Sequence, residues 1–276
     1  MEEHISQITH WFNHVFGPLA LRLLHALNLQ PRDFEKPIPE HVVMSIVVLI
    51  VGSLLALFLR SRLSVDSPGG PQQVAELLLT NPMGFGIKDL LEENAGHDAH
   101  KFIAFTGSIS IFVLLSNLLS IFPAFSSPTG NAVVPLACAI LTFLYFNWQG
   151  IKHHGVGGYL LTFAGSPKHL GDWLLAILLF PVEIISTSAR LLSLTVRLWA
   201  NIFASDLIYV IFLGLLVGPV QWAWVKSPIL GVVLALFPVF IPIAFIGLHI
   251  FVSIIQAYIF TVLPSIYIGG AVADEH

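Results

Sequence analysis

Charged side chains are scarce in this sequence. Lys, Arg, Asp and Glu make up 10% of its 276 residues, and hydrophobic residues make up 56%; a typical soluble domain carries about 25% charged residues. Cysteine is almost absent, because Cys138 is the single one, so an intrachain disulfide is excluded and cysteine usage does not indicate a redox compartment. With a mean hydropathy of +0.85, the composition indicates an all-α polytopic membrane protein.

Motifs of the common enzyme classes are also missing. The sequence has no H-E-x-x-H motif, no phosphate loop of the P-loop form, and no cluster of His and carboxylates with metal-ligand spacing inside an apolar run. His97 and His100 span one helical turn but have no third ligand nearby, so we expect a solvated loop there. Ser253 beside His249 is the only thin candidate for a nucleophile and base. We therefore expect no catalytic site, no cofactor and no metal.

Residues 1–40 are mixed polar and apolar. They lack the basic and apolar regions of a signal peptide, so we expect the N-terminus to be retained. The stretch HWFNHVFGPLALRLLHALNL places aromatic residues and leucines on one helical face, and histidines and Arg22 on another. This pattern favours an interfacial helix over disorder. We expect 1–40 to be an extracytoplasmic segment and 41–276 to be a single membrane domain.

Three apolar runs, at about 42–60, 102–122 and 132–148, predict perpendicular transmembrane helices across a core about 30 Å thick. Two arginines follow the first run and QGIKHHGVGG follows the third, so the positive-inside rule places the N-terminus outside. Between the first two runs, QQVAELLLTNPMGFGIKDLLEENAG has apolar residues three and four apart. That spacing predicts a cytoplasmic amphipathic helix, broken near Asn81 and Pro82.

Two longer apolar runs follow, at about 173–217 and 228–268. A helix through the first would extend about 67 Å, far more than one perpendicular crossing needs. Each run therefore contains a tight re-entrant break or forms one strongly tilted helix. We prefer two long tilted membrane helices that form a hairpin, joined by GPVQWAWVKSP with its interfacial tryptophans, and a cytoplasmic C-terminus.

The first long run contains four ionisable residues, each of which costs about 2.5 to 3.5 kcal/mol on insertion scales. Glu183, Arg190 and Arg197 recur at every seventh position and share a helical stripe with Asn201, whereas Asp206 points to the other side. No carboxylate lies one turn from Arg197, so its counter-ion must come from elsewhere. Because arginine keeps its proton, it can pair with a carboxylate or repel cations but cannot relay a proton.

The second long run carries His249 and Gln256 on one helical face. Imidazole and carboxylate groups can pass protons, so His249, Asp206 and Glu183 suit a proton relay. Other interpretations stay open: a buried salt bridge between Glu183 and Arg190, snorkelling of Arg197, a purely structural His249, and a Gln256 that only holds helices together. For Asn117 and Ser120 in the second apolar run, interhelical hydrogen bonds and a solvent pathway are equally consistent.

The block SLTVRLWANIFASDLI, residues 193–208, resembles the most characteristic motif of subunit a of the F-type ATP synthase, bacterial type. LHIFVSIIQAYIFTVLPSIYI resembles the C-terminal helix of that family, and NLLSIFPAFSSPTGN resembles its turn region, so the resemblance covers about residues 42–276. It implies that Arg197 meets the ion-carrying carboxylate of a rotating c-ring. It also implies that Asn201 and Asp206 lie in the outer half-channel and that His249 and Gln256 lie on the facing helix, with Gln256 near the arginine. Glu183 and Arg190 are implied to lie toward the cytoplasmic half-channel. Some bacterial members have an acid where this chain has Ser120, so no proton role is carried over to that position.

The resemblance thus implies a non-catalytic stator subunit that provides two aqueous half-channels, separated by Arg197, and couples proton flow to rotation and ATP synthesis. It implies as partners a c-ring of small hydrophobic subunits, the b subunits of a peripheral stalk and the lipid bilayer, with no nucleic acid. The expected location is the bacterial inner (plasma) membrane, and the proton is the default ion over sodium. The alternative is an ion-coupled secondary transporter, for which the sequence offers no convincing internal repeat.

Overall fold

The computed structural model describes residues 7–30, 33–34, 36–81, 84–122, 125–165 and 172–273. Within these ranges the regular structure is helical, as predicted, and no strand occurs. Its α-helices are α1 Gln7–Ala26, α2 Glu40–Arg60, α3 Gly70–Leu79, α4 Ile87–Ala95, α5 Ile103–Leu119, α6 Val133–Phe163, α7 Asp172–Lys226 and α8 Pro228–Val272. Short 3-10 turns cover Gly96–Lys101 and Pro128–Gly130.

Four helices of the described chain are long and apolar enough to cross a membrane. The stretches that meet this criterion are Glu40–Arg60, Val133–Phe163, Trp173–Ser205 and Ile243–Val272. Helix α5 is apolar too, but at 17 residues it is shorter than the roughly 20 residues that a perpendicular crossing requires. These helices make the chain a multi-pass membrane protein, as its composition predicted.

Helix α6 extends beyond the end predicted for the third span. The prediction stopped at residue 148, whereas α6 continues to Phe163 through the stretch QGIKHHGVGG. The continuity is interrupted at Gly155, whose φ of 73° and ψ of 165° are not helical. Past this break the Tyr159 ring packs on Gly150, and its hydroxyl donates to Asn147 Oδ1 at 3.1 Å. The packing of this last part of α6 on the main part explains why the polar stretch is helical and not an open loop.

The two long apolar runs form one helix each. Helix α7 spans 55 residues and α8 spans 45, and Ser227 alone separates them. The prediction that GPVQWAWVKSP forms the connection is therefore wrong for most of that stretch, because α7 continues through it to Lys226. Pro181 lies inside α7 without ending it. The choice of one long helix per run over a re-entrant break is therefore confirmed, and the tilt of these helices in the bilayer stays a prediction.

The amphipathic segment after α2 is also confirmed, because α3 and α4 are separate helices on either side of the expected break. The Asp89 carboxylate in α4 accepts a hydrogen bond from the backbone N–H of Asn81 at 2.7 Å. This bond ties the residue that follows α3 to the first turn of α4.

By its contacts the chain divides into two compact units. Unit 1 comprises Met1–Ile50, Leu114–Asn131 and Leu198–Ile255, and unit 2 comprises Val51–Val113, Ala132–Arg197 and Gln256–His276. Four of the five borders fall inside helices, so each unit combines several separate stretches of the chain. The single membrane domain 41–276 stays a prediction.

In unit 1, α1 confirms the helix predicted near the N-terminus. The buried Asn13 side chain donates to the backbone oxygen of Ile38 and accepts from the N–H of the same residue, at 3.0 and 2.9 Å. These two bonds hold α1 against the segment that leads into α2. Other positions of α1 expose large apolar side chains, Trp11 and Leu23 among them. An interfacial position of α1 stays a prediction.

Unit 2 has a mixed aliphatic and aromatic core. The buried residues Leu91, Phe102, Phe146 and Ile268 bring α4, the start of α5, α6 and the end of α8 together. At Gly269 a Cβ would clash with the backbone oxygen of Asn94, so the end of α8 and the end of α4 touch backbone to backbone.

Candidate functional site

Arg197 lies near the middle of α7 and is half-buried. Its Nη2 donates to the hydroxyl oxygen of Ser193, one helical turn earlier, at 3.3 Å. No ion pair to Arg197 occurs among the side chains that the structure describes. As expected, no carboxylate among the described side chains of α7 pairs with Arg197, and the partner that the helix does offer is neutral.

Glu183 and Arg190 pair with each other. The Arg190 Nη2 lies 3.3 Å from Oε1 of Glu183, and the Thr187 hydroxyl donates to the same oxygen at 3.4 Å. The Arg190 guanidinium also lies 5.2 Å from the ring centroid of Tyr267 in α8, a cation–π distance. The salt bridge left open by the sequence is therefore formed. It is not buried, because the two side chains are 36% and 41% exposed.

His249 is buried where α8 meets the end of α5 and α7 in unit 1. Its Nε2 lies 2.9 Å from the Ser120 hydroxyl oxygen and 3.0 Å from the backbone oxygen of Asn117. Its Nδ1 lies 3.0 Å from the Ser205 hydroxyl oxygen. Ser253 donates to the His249 backbone oxygen at 2.7 Å. Both ring nitrogens are thus engaged by groups from other helices.

Of the two polar residues in the second apolar run, Ser120 contacts α8 through its side chain, which meets His249, whereas Asn117 contacts His249 through its backbone oxygen. The side chain of Asn117 also accepts from the Thr129 hydroxyl at 2.6 Å, which links α5 to the turn before α6. The Asn117 amide nitrogen is buried and has no hydrogen-bond partner among the described residues. Because Asn117 O and Oδ1 are both engaged, this residue connects His249 to the turn at Pro128–Gly130.

Ser205 and Tyr267 are contacts that sequence reasoning missed. Ser205 immediately precedes Asp206 in the block of residues 193–208, but His249, the residue that it contacts, is 44 residues away in sequence. Tyr267 is one of several aromatic residues in an apolar helix, and spacing does not show which ring lies beside Arg190. A serine among small residues carries little signal until its partner helix is known.

Gln256 is fully buried, and neither its amide nitrogen nor its amide oxygen has a hydrogen-bond partner in the described part of the chain. An unpaired buried amide costs about 1 to 3 kcal/mol. The interpretation of Gln256 as a residue that merely joins helices requires such a bond and gains no support from the described contacts.

The two remaining candidates lie in α7. Asn201 is exposed. Asp206 is helical, and its side chain lies outside the described side chains. The side chain of His97, one of the two histidines that span a helical turn, also lies outside the described side chains. Among the described residues, no three His, Cys, Asp or Glu side chains form a group that could hold a metal ion.

Known proteins match this chain along most of its length. The family model of the ATP synthase A chain matches residues 41–269, a range that includes every candidate discussed above. The chain belongs to this family. The resemblance read from residues 193–208 is thereby confirmed at the level of the family.

Individual relatives agree with this assignment. ATP synthase subunit a of Solibacter usitatus is 39% identical over 241 residues, which cover 87% of this chain and 90% of the relative. ATP synthase subunit a of Koribacter versatilis is 34% identical over 273 residues, 96% of this chain and 98% of the relative. ATP synthase subunit a 3 of Pelobacter propionicus is 34% identical over 229 residues, 83% of this chain and 86% of the relative. As a member of the ATP synthase A chain family, this multi-pass membrane protein is a component of an ATP synthase and functions in ATP synthesis and proton transport.

Proposed function

We propose that this chain is the stator proton-channel subunit of an F-type ATP synthase, in which Arg197 separates two aqueous half-channels that serve a rotating c-ring. One observation carries the proposal: the guanidinium of Arg197 lies in the middle of a membrane-grade helix, and its described partner is a neutral hydroxyl. The Ser193 oxygen holds the guanidinium without neutralising it. The charge remains available for a carboxylate that this chain does not itself supply.

The contrast between two arginines on one helix supports this role. Arg190 already has a carboxylate within 3.3 Å, so its charge is compensated inside the chain. Arg197 has none among the described residues. A mobile carboxylate on a partner would therefore be attracted to Arg197, because a fixed charge in low dielectric interacts far more strongly than one in water.

The mechanism follows from what each group can do. A rotor carboxylate takes up a proton from one half-channel, and a second carboxylate releases its proton to the other and passes Arg197 as an anion. Arg197 cannot lose its own proton, and its charge repels protons that would leak directly between the half-channels. Each proton contributes about 2.3 kcal/mol per 100 mV, so several are needed per ATP, and a ring of carriers accumulates them.

The remaining candidates are assigned to the two half-channels. His249, Asn201 and Asp206 belong to the outer one, with Gln256 facing the rotor beside the arginine. Glu183 and Arg190 belong to the cytoplasmic one. The N-terminus lies outside, with α1 at the outer interface, and the C-terminus lies in the cytoplasm of a bacterium, at the plasma membrane. The partners are the c-ring, the b subunits of the peripheral stalk and the bilayer, and the chain catalyses no bond chemistry itself.

The test is Arg197→Ala in the whole ATP synthase, measured as ATP-driven acidification of inverted membrane vesicles. We expect pumping to be lost while the complex still assembles with its c-ring. Arg22→Ala is the matched control, because it removes an exposed arginine from α1, a helix that carries none of the residues assigned to the proton path, and it should pump normally. Pumping by Arg197→Ala at the control level would overturn the proposal.

A second measurement separates the proposal from a secondary transporter. The purified chain, reconstituted alone, should not couple ion flow to uptake of any solute, and it should require the c-ring for proton conduction. Saturable ion-coupled uptake by the chain alone would favour the transporter.

A further inference from the structure

The hydrogen bonds around His249 determine which of its ring nitrogens carries the proton. Nε2 lies 3.0 Å from the backbone oxygen of Asn117, and a carbonyl oxygen can only accept. Nε2 must therefore be the donor of that bond. The ring is accordingly protonated on Nε2 whenever this contact is made.

The second neighbour of Nε2 agrees with this assignment. The Ser120 hydroxyl already donates its hydrogen to the backbone oxygen of Asn117 at 2.8 Å. With its single hydrogen committed, Ser120 can only accept from the ring, at 2.9 Å. Both oxygens near Nε2 thus act as acceptors for one N–H, in a three-centre hydrogen bond.

The other ring nitrogen, Nδ1, faces a serine hydroxyl, which can both donate and accept a hydrogen bond. A neutral imidazole carries one N–H, so Nδ1 has a free lone pair and accepts from the Ser205 hydroxyl at 3.0 Å. The Ser205 hydroxyl makes no other hydrogen bond within the described part of the chain. A hydroxyl can donate and accept in turn, whereas the Asn117 carbonyl cannot pass a proton on.

From this asymmetry we propose that Ser205 is the relay through which His249 gains and loses its proton, and that Nε2 stays protonated throughout. The inference rests on the proposed proton-channel function. In uptake, a proton from the water of the outer half-channel binds the Ser205 oxygen as the hydroxyl's own proton moves to Nδ1. Ser205 remains a neutral hydroxyl, and His249 becomes an imidazolium that donates from both nitrogens. Release reverses both movements, so protons and charge balance.

The Nε2 side serves as an anchor. The contacts of Nε2 with Asn117 and Ser120 hold the ring in one orientation. The buried Asn117 is in turn fixed by its hydrogen bond from Thr129. Ser253 adds a bond to the His249 backbone but none to the ring. In the described contacts, Ser205 is therefore the one side chain that meets the ring at a nitrogen able to change its protonation.

The first test reads the tautomer directly. Solid-state NMR of the intact ATP synthase, labelled with 15N-histidine and reconstituted at alkaline pH, is compared with the His249→Asn complex to isolate the ring signals. We expect a protonated-type Nε2 and an unprotonated-type Nδ1. Ser205→Ala should shift the Nδ1 signal, and Ser120→Ala should leave it unchanged. A neutral ring protonated on Nδ1 would overturn the proposal.

The second test measures proton pumping in the same complexes. A positioned proton-transfer group typically contributes about 10²- to 10⁴-fold, so we expect Ser205→Ala to lose at least about tenfold and Ser205→Thr, which keeps the hydroxyl, to recover most of it. Equal losses in both variants, or normal pumping by Ser205→Ala, would overturn the relay. The tautomer is measured without pumping, so these failures are distinguishable from a failure of the Arg197 test.

Discussion

The guanidinium of Arg190 lies 3.3 Å from the carboxylate of Glu183, two helical turns earlier on α7. Arg197 lies two turns further along the same stripe and contacts a serine hydroxyl. One helix thus presents a compensated arginine and an uncompensated one at equal spacing. The compensated pair can be tested by its coupling.

Neutralising one member of this pair should do more harm than neutralising both. Glu183→Gln or Arg190→Gln leaves the charge of the other member uncompensated in an apolar helix, whereas the double variant removes both charges of the pair. We expect each single variant to pump less than the double variant. Because both side chains are more than a third exposed, the pair itself should contribute less than about 1 kcal/mol to stability. Losses that simply add in the double variant would contradict the coupling.

Gly269→Ala should weaken the contact between α8 and α4. A Cβ there would clash with the backbone oxygen of Asn94, and a backbone atom cannot move aside as the end of a flexible side chain can. We expect a loss of about 1 to 3 kcal/mol, as for other overpacked sites, seen as a lower midpoint of thermal inactivation. Gly270→Ala is the matched control, because a Cβ at that position meets nothing within 4 Å. Equal midpoints for the two variants would disprove the close approach.

The break in α6 should depend on glycine at position 155. Its φ of 73° and ψ of 165° lie in a region that residues with a Cβ rarely enter. Gly155→Ala should cost about 1 to 3 kcal/mol, and Gly157→Ala, a helical neighbour with open space around its Cβ, should not. The thermal midpoints of the two purified complexes compare them. The kink is not required if Gly155→Ala proves as stable as Gly157→Ala.

Thr129→Val should destabilise the link between α5 and the turn before α6. The substitution keeps the shape of the side chain but removes the hydroxyl that donates to Asn117 Oδ1 at 2.6 Å, and both residues are fully buried. An acceptor left unpaired in a buried site costs about 1 to 3 kcal/mol. Thr129→Ser keeps the hydroxyl and should retain most of the stability, measured as resistance of the complex to heat. A Val variant as resistant as the Ser variant would argue against the bond.

Much of the helical architecture could be predicted, because apolar runs and turn residues are local signals. The runs at about 173–217 and 228–268 correctly predicted the existence of α7 and α8, although α7 continues to Lys226 through the predicted connection. The spacing around Asn81 correctly predicted a break between α3 and α4. The end of α6 was not predicted. Its polar stretch is helical because Tyr159 packs on Gly150, a contact within the folded unit that no local pattern reveals.

The candidate site was predicted unevenly for a related reason. Ionisable residues in an apolar run stand out in a sequence, so the sequence alone indicated Glu183, Arg190 and Arg197 as candidate site residues. The serine beside Nδ1 of His249 was not, because Ser205 is an ordinary small residue until α7 and α8 are packed together.

The sequence by itself determined that this is a helical membrane protein of the ATP synthase A chain family with an arginine that its own helix cannot neutralise. Composition, the length of the apolar runs and helical spacing are properties of the sequence, so each can be determined without a three-dimensional structure. Only the three-dimensional structure decided that Glu183 contacts Arg190, that a serine contacts Arg197 without neutralising it, and that Nε2 of His249 lies 3.0 Å from the backbone oxygen of Asn117. Those outcomes depend on distances of about 3 Å between side chains and backbone groups. In the case of His249 the partners are more than forty residues apart in sequence, so packing alone brings them together.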